Sequence, residues 1–201
     1  MVKKILVTGS SGFIGSCLTS KLLNDGQILF AILRNNKINK KKSVKIKKKY
    51  KNYHPIFFSK INQLKNKLSK LKIDVVVNLA TKYLNKHNFK EMIELINSNI
   101  LFTTVVLEAL PKKKLKKYIN LNTMTLYKNS YEYEPLNLYA ATKKGFIDII
   151  KFYQINFKKI KFYNISIYDT YGQVDKRMKI IPTLIKNYKL NKMTTVISKK
   201  L

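Results

Sequence analysis

The sequence predicts an α/β protein in which helices cover both faces of a parallel sheet. Three observations carry this prediction. Apolar runs typical of buried strands alternate with segments of helical periodicity, a glycine-rich turn joins the first strand to the first helix, and polar residues follow the later strands. Strand–helix–strand units of this kind form parallel pairs with right-handed connections.

The apolar periodicity sets the predicted elements in chain order. We expect strands over residues 4–7, 28–33, 56–58, 74–79, 118–122 and 162–167. Helices are predicted over residues 13–24, 61–71, 89–110, 138–157 and 179–188. The lysine-rich residues 37–53 are predicted to be a loop or a frayed helix.

A glycine-rich turn follows the first strand directly and reads Thr-Gly-Ser-Ser-Gly-Phe-Ile-Gly over residues 8–15. Gly9 would allow the tight turn, Gly12 would let the backbone approach a pyrophosphate, and Gly15 would let the helix pack against its strand. The alternative is a glycine-rich turn that binds no ligand. The residues predicted to contact a dinucleotide here are Gly9, Ser11, Gly12, Phe13, Ile14 and Gly15.

Charge is prominent, since 41 Lys and Arg against 10 Asp and Glu give a formal net charge of +31. The densest lysine run spans residues 37–51, and such runs can bind phosphate backbones. However, lysine is spread along the whole chain, and only Arg34 and Arg177 supply the guanidinium favoured for bidentate phosphate contacts. A codon bias explains the lysines better, and we expect no specific nucleic-acid partner.

Other function classes are excluded by simple features. Cys17 is the only cysteine, so we expect neither an internal disulfide nor a metal site. No apolar run reaches the ~18 residues that would span a bilayer. The apolar residues at the start are interrupted at once by the glycine turn, so they are interpreted as a strand and not as a signal peptide. We therefore expect a cytoplasmic protein without a membrane partner.

A second pattern is Tyr139 followed four residues later by Lys143, near the start of a predicted helix. This spacing places both side chains on one helical face. An ammonium near a phenol stabilises the phenolate and lowers its pKa. Such a tyrosine could exchange a proton with a sugar hydroxyl or carbonyl group. The pattern alone is weak because both residue types are abundant.

The order of the motifs strengthens the interpretation. The glycine turn is followed by residues 78–81 after the fourth strand, by Asn99 in the next helix, by residues 122–127 after the fifth strand, and then by Tyr139 and Lys143. In this order the chain resembles the NAD-dependent epimerase/dehydratase family, extended short-chain dehydrogenases that act on nucleotide sugars. The resemblance implies a Rossmann-like, doubly wound parallel sheet.

The resemblance also implies roles for individual residues. Tyr139 looks like the acid/base, with Lys143 as the partner that lowers its pKa and holds the nicotinamide ribose. Thr123 resembles the residue that hydrogen-bonds the reacting oxygen, with Thr125 as the fallback, and Asn99 resembles the asparagine that supports a proton relay to the lysine. Local capping is the alternative for Thr123 and Asn99. The cofactor-binding residues beyond the turn are Arg34, Leu79, Ala80, Thr81, Tyr139 and Lys143.

The identity of the cofactor depends on Arg34. Residues 34–36 offer no carboxylate for ribose hydroxyls, and Arg34 could pair with a 2′-phosphate. This favours NADP over NAD, although an arginine could also stack on adenine.

The end of the chain departs from the family pattern. Residues 168–177 resemble the start of the substrate-binding portion, most like the CDP-deoxyhexose branch, but the sequence stops at residue 201. We expect a dinucleotide-binding domain over residues 1–167 and the start of a truncated substrate-binding portion over residues 168–201, so that most of the substrate lobe is missing. Either the gene product is truncated or a partner chain completes it, and a homodimer is a further expectation.

Two functions follow from the sequence. The first is an NAD(P)-dependent oxidoreductase, epimerase or dehydratase of a nucleotide-activated sugar that serves polysaccharide biosynthesis. The alternative is a non-catalytic dinucleotide-binding module or an inactive fragment.

Overall fold

The computed structural model describes residues 1–128, 132–172, 175 and 180–194. Six parallel strands form one sheet in the order β3-β2-β1-β4-β5-β6. The strands are β1 (Lys4–Thr8), β2 (Ile28–Arg34), β3 (Tyr53–Phe58), β4 (Val75–Asn78), β5 (Lys117–Thr123) and β6 (Lys161–Ile167). This order is that of a doubly wound dinucleotide-binding sheet, which confirms the predicted fold class.

Helices connect consecutive strands, and one further helix follows the last strand. They are α1 (Phe13–Asn24), α2 (Lys37–Lys49), α3 (Gln63–Leu68), α4 (Phe89–Ile96), a π-helical segment (Asn97–Leu101), α5 (Phe102–Ala109), α6 (Leu138–Asn156) and α7 (Ile180–Lys189). One apolar cluster lies between the sheet and α3, α5 and α6, and the other lies between the sheet and α1 and α2. Burial on both faces explains why β1, β2 and β4 contain continuous apolar runs.

The prediction for residues 37–53 is corrected by α2, which is a regular helix of 13 residues. The Asn36 side chain caps it by accepting a hydrogen bond from the Asn39 backbone N–H at 2.8 Å. Ser43 is buried beside the Tyr53 hydroxyl, at 3.3 Å between the two oxygens. The lysines obscure the apolar periodicity of α2 in the sequence, because only one narrow side of this helix packs against the rest of the protein.

The predicted helix over residues 89–110 begins with a capping box, in which Asn88 and Glu91 each accept the other's backbone N–H. It is then interrupted by the π-helical segment, which turns Asn99 into the interior. Strand β3 begins at Tyr53, earlier than predicted, and includes Pro55. An edge strand tolerates proline because one of its backbone edges has no partner strand.

A ladder of polar side chains crosses the sheet at one level. Thr8 donates a hydrogen bond to Asn78 Oδ1 at 2.7 Å, and Asn78 Nδ2 donates to Asn120 Oδ1 at 3.0 Å. Asn120 Nδ2 in turn donates to Asn164 Oδ1 at 2.9 Å. The first three residues are fully buried. The ladder therefore joins β1, β4, β5 and β6 through hydrogen bonds that offset the cost of burying polar groups.

The chain divides into two compact units, Met1–Tyr168 and Asp169–Leu201. The first contains the whole sheet. In the second, α7 lies within the described residues, whereas residues 173, 174, 176 and 177 of the stretch resembling a substrate-binding portion lie outside them. The roles predicted for residues 1–167 and 168–201 stay predictions.

Replacing Asn120 with Leu tests the ladder. The substitution keeps an apolar side chain of similar size but leaves the Asn78 amide and the Asn164 carbonyl without their partner. We expect a loss of about 2–4 kcal/mol in the free energy of unfolding, measured by urea denaturation. Asn62→Leu is the control, because Asn62 is exposed and its side chain makes no capping bond. Equal losses in the two variants would contradict the importance of the ladder.

Candidate dinucleotide and acid/base site

The candidate site lies at the carboxyl ends of the strands, where the chain order reverses beside β1. Strand β1 pairs with β2 on one side and with β4 on the other. Connections leave the sheet in opposite directions at this point, so a crevice opens between the loops that follow β1 and β4. The glycine turn and residues 79–81 form its two sides.

Gly9 makes the closest approach across this crevice. Its φ is +67°, and a Cβ on it would lie 2.7 Å from the backbone nitrogen of Ala80. A Cβ on Gly15 would lie 2.0 Å from the carbonyl oxygen of Gly9. The predicted roles are therefore refined: Gly9 serves both the tight turn and the contact with the β4 loop, and Gly15 lets α1 pack against the turn itself.

The N-terminus of α1 faces this turn. Gly12 is the N-cap residue and donates its N–H to the carbonyl oxygen of Gly9 at 3.0 Å. Within α1, all of which is described, the first turn has no acidic residue, and the N-cap provides no side-chain acceptor. The positive end of the helix dipole is thus available to an anionic group. A Cβ on Gly12 would contact only Gly9 within 4 Å.

Thr8 fixes the opposite side of the crevice. Its buried hydroxyl accepts hydrogen bonds from the backbone N–H groups of Leu79 at 3.1 Å and Ala80 at 3.0 Å. The two predicted cofactor residues of the β4 loop are therefore held at the end of β1 by the side chain of Thr8. Thr81, the third, is exposed at the surface of the loop.

Arg34 ends β2 and is exposed. Its carbonyl oxygen accepts a hydrogen bond from Asn39 Nδ2 at 2.9 Å, and the neighbouring Asn35 donates to the Ser59 hydroxyl at 3.0 Å. The guanidinium of Arg34 is among the charges that lower the pKa of Glu94, after the larger effect of Lys82.

Tyr139 and Lys143 lie one turn apart on α6, and both are buried. The hydroxyl groups of Thr81 and Thr123 lie near enough to the Tyr139 side chain to lower its pKa. The ring of Tyr83 packs edge-on against the Tyr139 ring, with 4.9 Å between centroids. The structure thus brings together three of the residues predicted from the sequence, on α6, on β5 and on the β4 loop.

The pKa of Tyr139 departs from its ordinary value in the chain alone, and the lowering of this pKa by Lys143 stays a prediction. Burial raises the pKa of Tyr139, and the nearby hydroxyl groups of Thr81 and Thr123 lower it by less than burial raises it. Lys143 is not among the groups that shift it. Desolvation dominates because the phenol is nearly inaccessible, so its charged form loses hydration.

Lys143 is 3% exposed, and burial alone lowers the pKa of its ammonium to about 8. Within the described residues it forms no hydrogen bond or ion pair. A buried ammonium without a carboxylate is costly, and groups of this kind are concentrated at functional sites.

Thr123 and Thr125 lie side by side at the end of β5. Their hydroxyl oxygens are 2.9 Å apart, and the Thr125 N–H donates to Thr123 Oγ1 at 3.2 Å. Thr123 is the one that reaches Tyr139. It therefore caps the following 3₁₀ turn and contacts the candidate acid/base at the same time.

Asn99 ties the β4 loop to α6. Its carbonyl oxygen accepts from the Lys82 N–H at 2.8 Å and from the Thr81 hydroxyl at 3.1 Å. Its amide donates to the Lys82 carbonyl at 3.0 Å and to the Thr142 hydroxyl at 2.9 Å. Thr142 also donates to the carbonyl of Tyr139 at 2.7 Å. Asn99 is therefore a positioning residue.

Three neighbouring residues were not predicted. Tyr83 and Thr142 make the contacts described above, and only the tertiary structure brings them to the site. Asn122 is buried beside Thr123 in the chain, and neither polar atom of its side chain has a hydrogen-bond partner within the described residues. Asn122 belongs to the polar segment predicted after the fifth strand, but no role was predicted for it.

No group of three or more His, Cys, Asp or Glu side chains that could hold a metal occurs among the described residues. One continuous helical run among them, Phe89–Ala109, is long and apolar enough to cross a membrane by length and composition. Its inner side, with Leu95, Asn99 and Val106, is buried in the protein.

The sequence profile of the NAD dependent epimerase/dehydratase family matches residues 5–200. The chain therefore belongs to this family, which confirms the predicted resemblance. CDP-abequose synthase of Salmonella muenchen is 31% identical over 190 residues, which is 94% of this chain and 60% of that protein. dTDP-D-glucose 4,6-dehydratase of Dictyostelium discoideum is 31% identical over 220 residues, or 97% of this chain and 50% of that protein.

A solved structure with the same fold is UDP-glucuronic acid 4-epimerase from Bacillus cereus in complex with UDP-glucuronic acid and NAD. It is 27% identical, with a TM-score of 0.75, and the match covers 94% of this chain and 64% of that one. The chain thus spans between 50% and 60% of the length of the two curated relatives. The solved neighbour holds NAD, and these comparisons do not support the preference for NADP that Arg34 predicts.

The stability cost of adding a side chain at Gly9, where the backbone approaches Ala80, can be measured by comparison with Gly26. Both have positive φ, but a Cβ on Gly26 would meet nothing within 4 Å. Gly26→Ala should cost about 1–2 kcal/mol of stability from backbone strain alone. Gly9→Ala should cost about 1–3 kcal/mol more because the added methyl overlaps Ala80. Urea denaturation of both variants measures the difference, and equal costs would contradict the contact.

The burial of Lys143 has a pH signature. Its folded pKa of about 8 lies below the ordinary value of 10.5, so between these pH values the unfolded chain binds more protons and stability rises with pH. Lys143→Met removes the titration. The stability advantage of this variant over the native chain should shrink by about 2 kcal/mol from pH 7 to pH 9.5. Lys151→Met, exposed on the same helix, is the control. A constant difference for Lys143→Met would contradict the burial.

Proposed function

We propose that the chain binds NAD across the crevice between the glycine turn and the β4 loop. The observation that carries this proposal is the close approach of Gly9 to Ala80, where a Cβ on Gly9 would overlap the Ala80 backbone. Because of this approach, backbone without side chains lies at one edge of the crevice together with the N-terminus of α1. A pyrophosphate fits such an edge through backbone N–H groups and the helix dipole. Ser11, Gly12, Phe13 and Ile14 would line it.

We further propose that the bound dinucleotide serves redox chemistry on a nucleotide-activated sugar. The nicotinamide supplies hydride exchange when it is bound. Tyr139 would move a proton to or from the reacting oxygen of the sugar, and Thr123, which lies near Tyr139, would hold that oxygen in place. Lys143 would favour the phenolate by its charge and hold the ribose. Asn99 would keep Tyr139 in position through Thr142.

The substrate class is proposed from the relatives. CDP-abequose synthase and dTDP-D-glucose 4,6-dehydratase are named for nucleotide sugars, and the solved neighbour contains UDP-glucuronic acid. The chain spans 60% or less of the length of the two curated relatives, so activity on a nucleotide sugar is proposed for it and not inferred from their names alone. A cytoplasmic role in polysaccharide biosynthesis accords with these names. The homodimer and the complementing partner chain stay predictions.

A second candidate function is a dinucleotide-binding module without turnover. The glycine turn, the β4 loop and Tyr139 all lie within the unit Met1–Tyr168, so every residue proposed here to bind the dinucleotide belongs to one compact unit. Binding of NAD without any response to a nucleotide sugar would favour this function.

Tyr139→Phe tests the acid/base role. The substitution removes the hydroxyl but keeps the ring against Tyr83, so the affinity for NAD, measured by calorimetry, should stay within about twofold. Turnover with CDP-, UDP- or dTDP-sugars, followed by nicotinamide absorbance and product analysis, should fall by about 100-fold or more.

Tyr163→Phe is the matched control, because Tyr163 is exposed on β6. Retained turnover in Tyr139→Phe would contradict the acid/base assignment, and absence of NAD binding to the native chain would contradict the proposed function as a whole.

A further inference from the structure

An open groove lies between α2 and the edge strand β3, and we name it the α2–β3 groove. Its volume is about 520 Å³, which leaves room for several side chains of a ligand. The half-buried Pro55 and Phe57 of β3 line it, and Val44 of α2, which is 57% exposed, adds a further apolar side chain. The accessible lining is mostly apolar, so the groove is suited to burying apolar groups of a ligand.

The charges that line the α2–β3 groove are all positive. Its lining includes four exposed lysines, Lys40, Lys47, Lys48 and Lys51. Among the described residues that line the groove, none is acidic, and residues 26–73, which contain β2, α2, β3 and α3, include no Asp or Glu. No carboxylate of these four elements neutralises the lysines, so a ligand that complements the groove carries negative charge.

The outer edge of β3 is closed to the addition of a strand. The Tyr53 carbonyl accepts a hydrogen bond from Lys47 Nζ at 2.7 Å, and the Phe57 carbonyl accepts one from Lys67 Nζ. Pro55, which lies between these two residues, has no N–H to donate. An extended peptide therefore finds few free backbone groups at this edge, and a ligand of the groove has to bind through its side chains.

The spread of charge and the shape of the groove distinguish between anionic ligands. Lys40 and Lys48 are about 12 Å apart along α2, and Lys51 follows this helix, so positive charge runs along the groove and matches several carboxylates better than one headgroup. A flat bilayer would meet the exposed lysines but not the half-buried Pro55 and Phe57. Single-stranded nucleic acid stacks its bases on successive aromatic rings, whereas Phe57 is the one aromatic residue among the described residues of the lining.

We propose that the α2–β3 groove docks an acidic amphipathic helix of a partner protein. Apolar side chains on one face of that helix enter the groove against Val44 and Phe57. Carboxylates beside this face pair with Lys40, Lys48 and Lys51. A second copy of the chain does not fit, because two chains with a formal net charge of +31 repel each other. The docking does not depend on dinucleotide binding.

The first experiment measures binding of a synthetic fluorescent peptide to the whole chain by fluorescence anisotropy. The peptide has about 14 residues, with Leu at every third or fourth position and Glu at the others, and forms one apolar helical face. A second peptide of the same composition has its Leu residues dispersed around the helix. We expect the first peptide to bind about tenfold more tightly, and both to weaken as sodium chloride is added. Equal affinities would overturn the proposal, because charge alone would then explain the binding.

Two pairs of variants locate the bound peptide. Val44→Ser should weaken its affinity by about tenfold, whereas Ile38→Ser should leave it unchanged, because Ile38 is 67% exposed on α2 and does not line the groove. Lys48→Glu should also weaken it by about tenfold, and Lys45→Glu, on the same helix but outside the lining, by less than about twofold. All four side chains are exposed, so the substitutions should leave the fold intact. Equal losses within either pair would overturn the proposal.

Other anionic ligands are tested with a single-stranded oligonucleotide and with vesicles that contain phosphatidylserine. Tighter binding of either than of the peptide, weakened by Val44→Ser, would overturn the assignment to an acidic helix. Titration with NAD separates this proposal from the proposed function, since Val44→Ser and Lys48→Glu should bind NAD as the native chain does. If the native chain binds no NAD but the peptides behave as expected, the proposed function fails and the docking groove stands.

Discussion

The hydroxyl of Thr8 holds the ends of β1 and β4 together, and the candidate site depends on it. It donates to Asn78 and accepts from the backbone N–H groups of Leu79 and Ala80. With the β4 loop held in this way, the backbone of Gly9 comes into contact with Ala80, and no side chain fits between them. One buried hydroxyl therefore determines the width of the crevice and the requirement for glycine.

The same constraint continues across the sheet. Asn78, Asn120 and Asn164 carry the hydrogen-bonded ladder from β4 to β6, so the carboxyl ends of these strands are held at one level. Each such bond contributes only about 1 kcal/mol, but an unpaired buried amide costs more than that. The ladder thus favours one strand register, and this register leaves Thr123 at the end of β5, where it meets Tyr139.

The charged forms of Tyr139 and Lys143, the candidate acid/base pair, are energetically unfavourable in the chain alone. Burial raises the pKa of Tyr139 and lowers that of Lys143, so each charged form is disfavoured in the chain alone. Contacts on two sides hold Tyr139 in place: Thr123 lies near its side chain, and Asn99 bonds Thr142, which donates to the Tyr139 backbone carbonyl. Strain of this kind is typical of functional sites, where the surrounding structure supplies the stability.

The sequence by itself determined the order of strands and helices, the glycine turn and the spacing of Tyr139 and Lys143, because these depend on local periodicity and short-range geometry. It did not reveal α2, whose single buried stripe is masked by lysines, or the π-helical segment that turns Asn99 inward. Only the tertiary structure decided the ladder, the contacts of Tyr139 and the direction of its pKa. The pKa direction results from desolvation, and the ladder results from pairing of strands that are dozens of residues apart in the chain. No local sequence pattern encodes either effect.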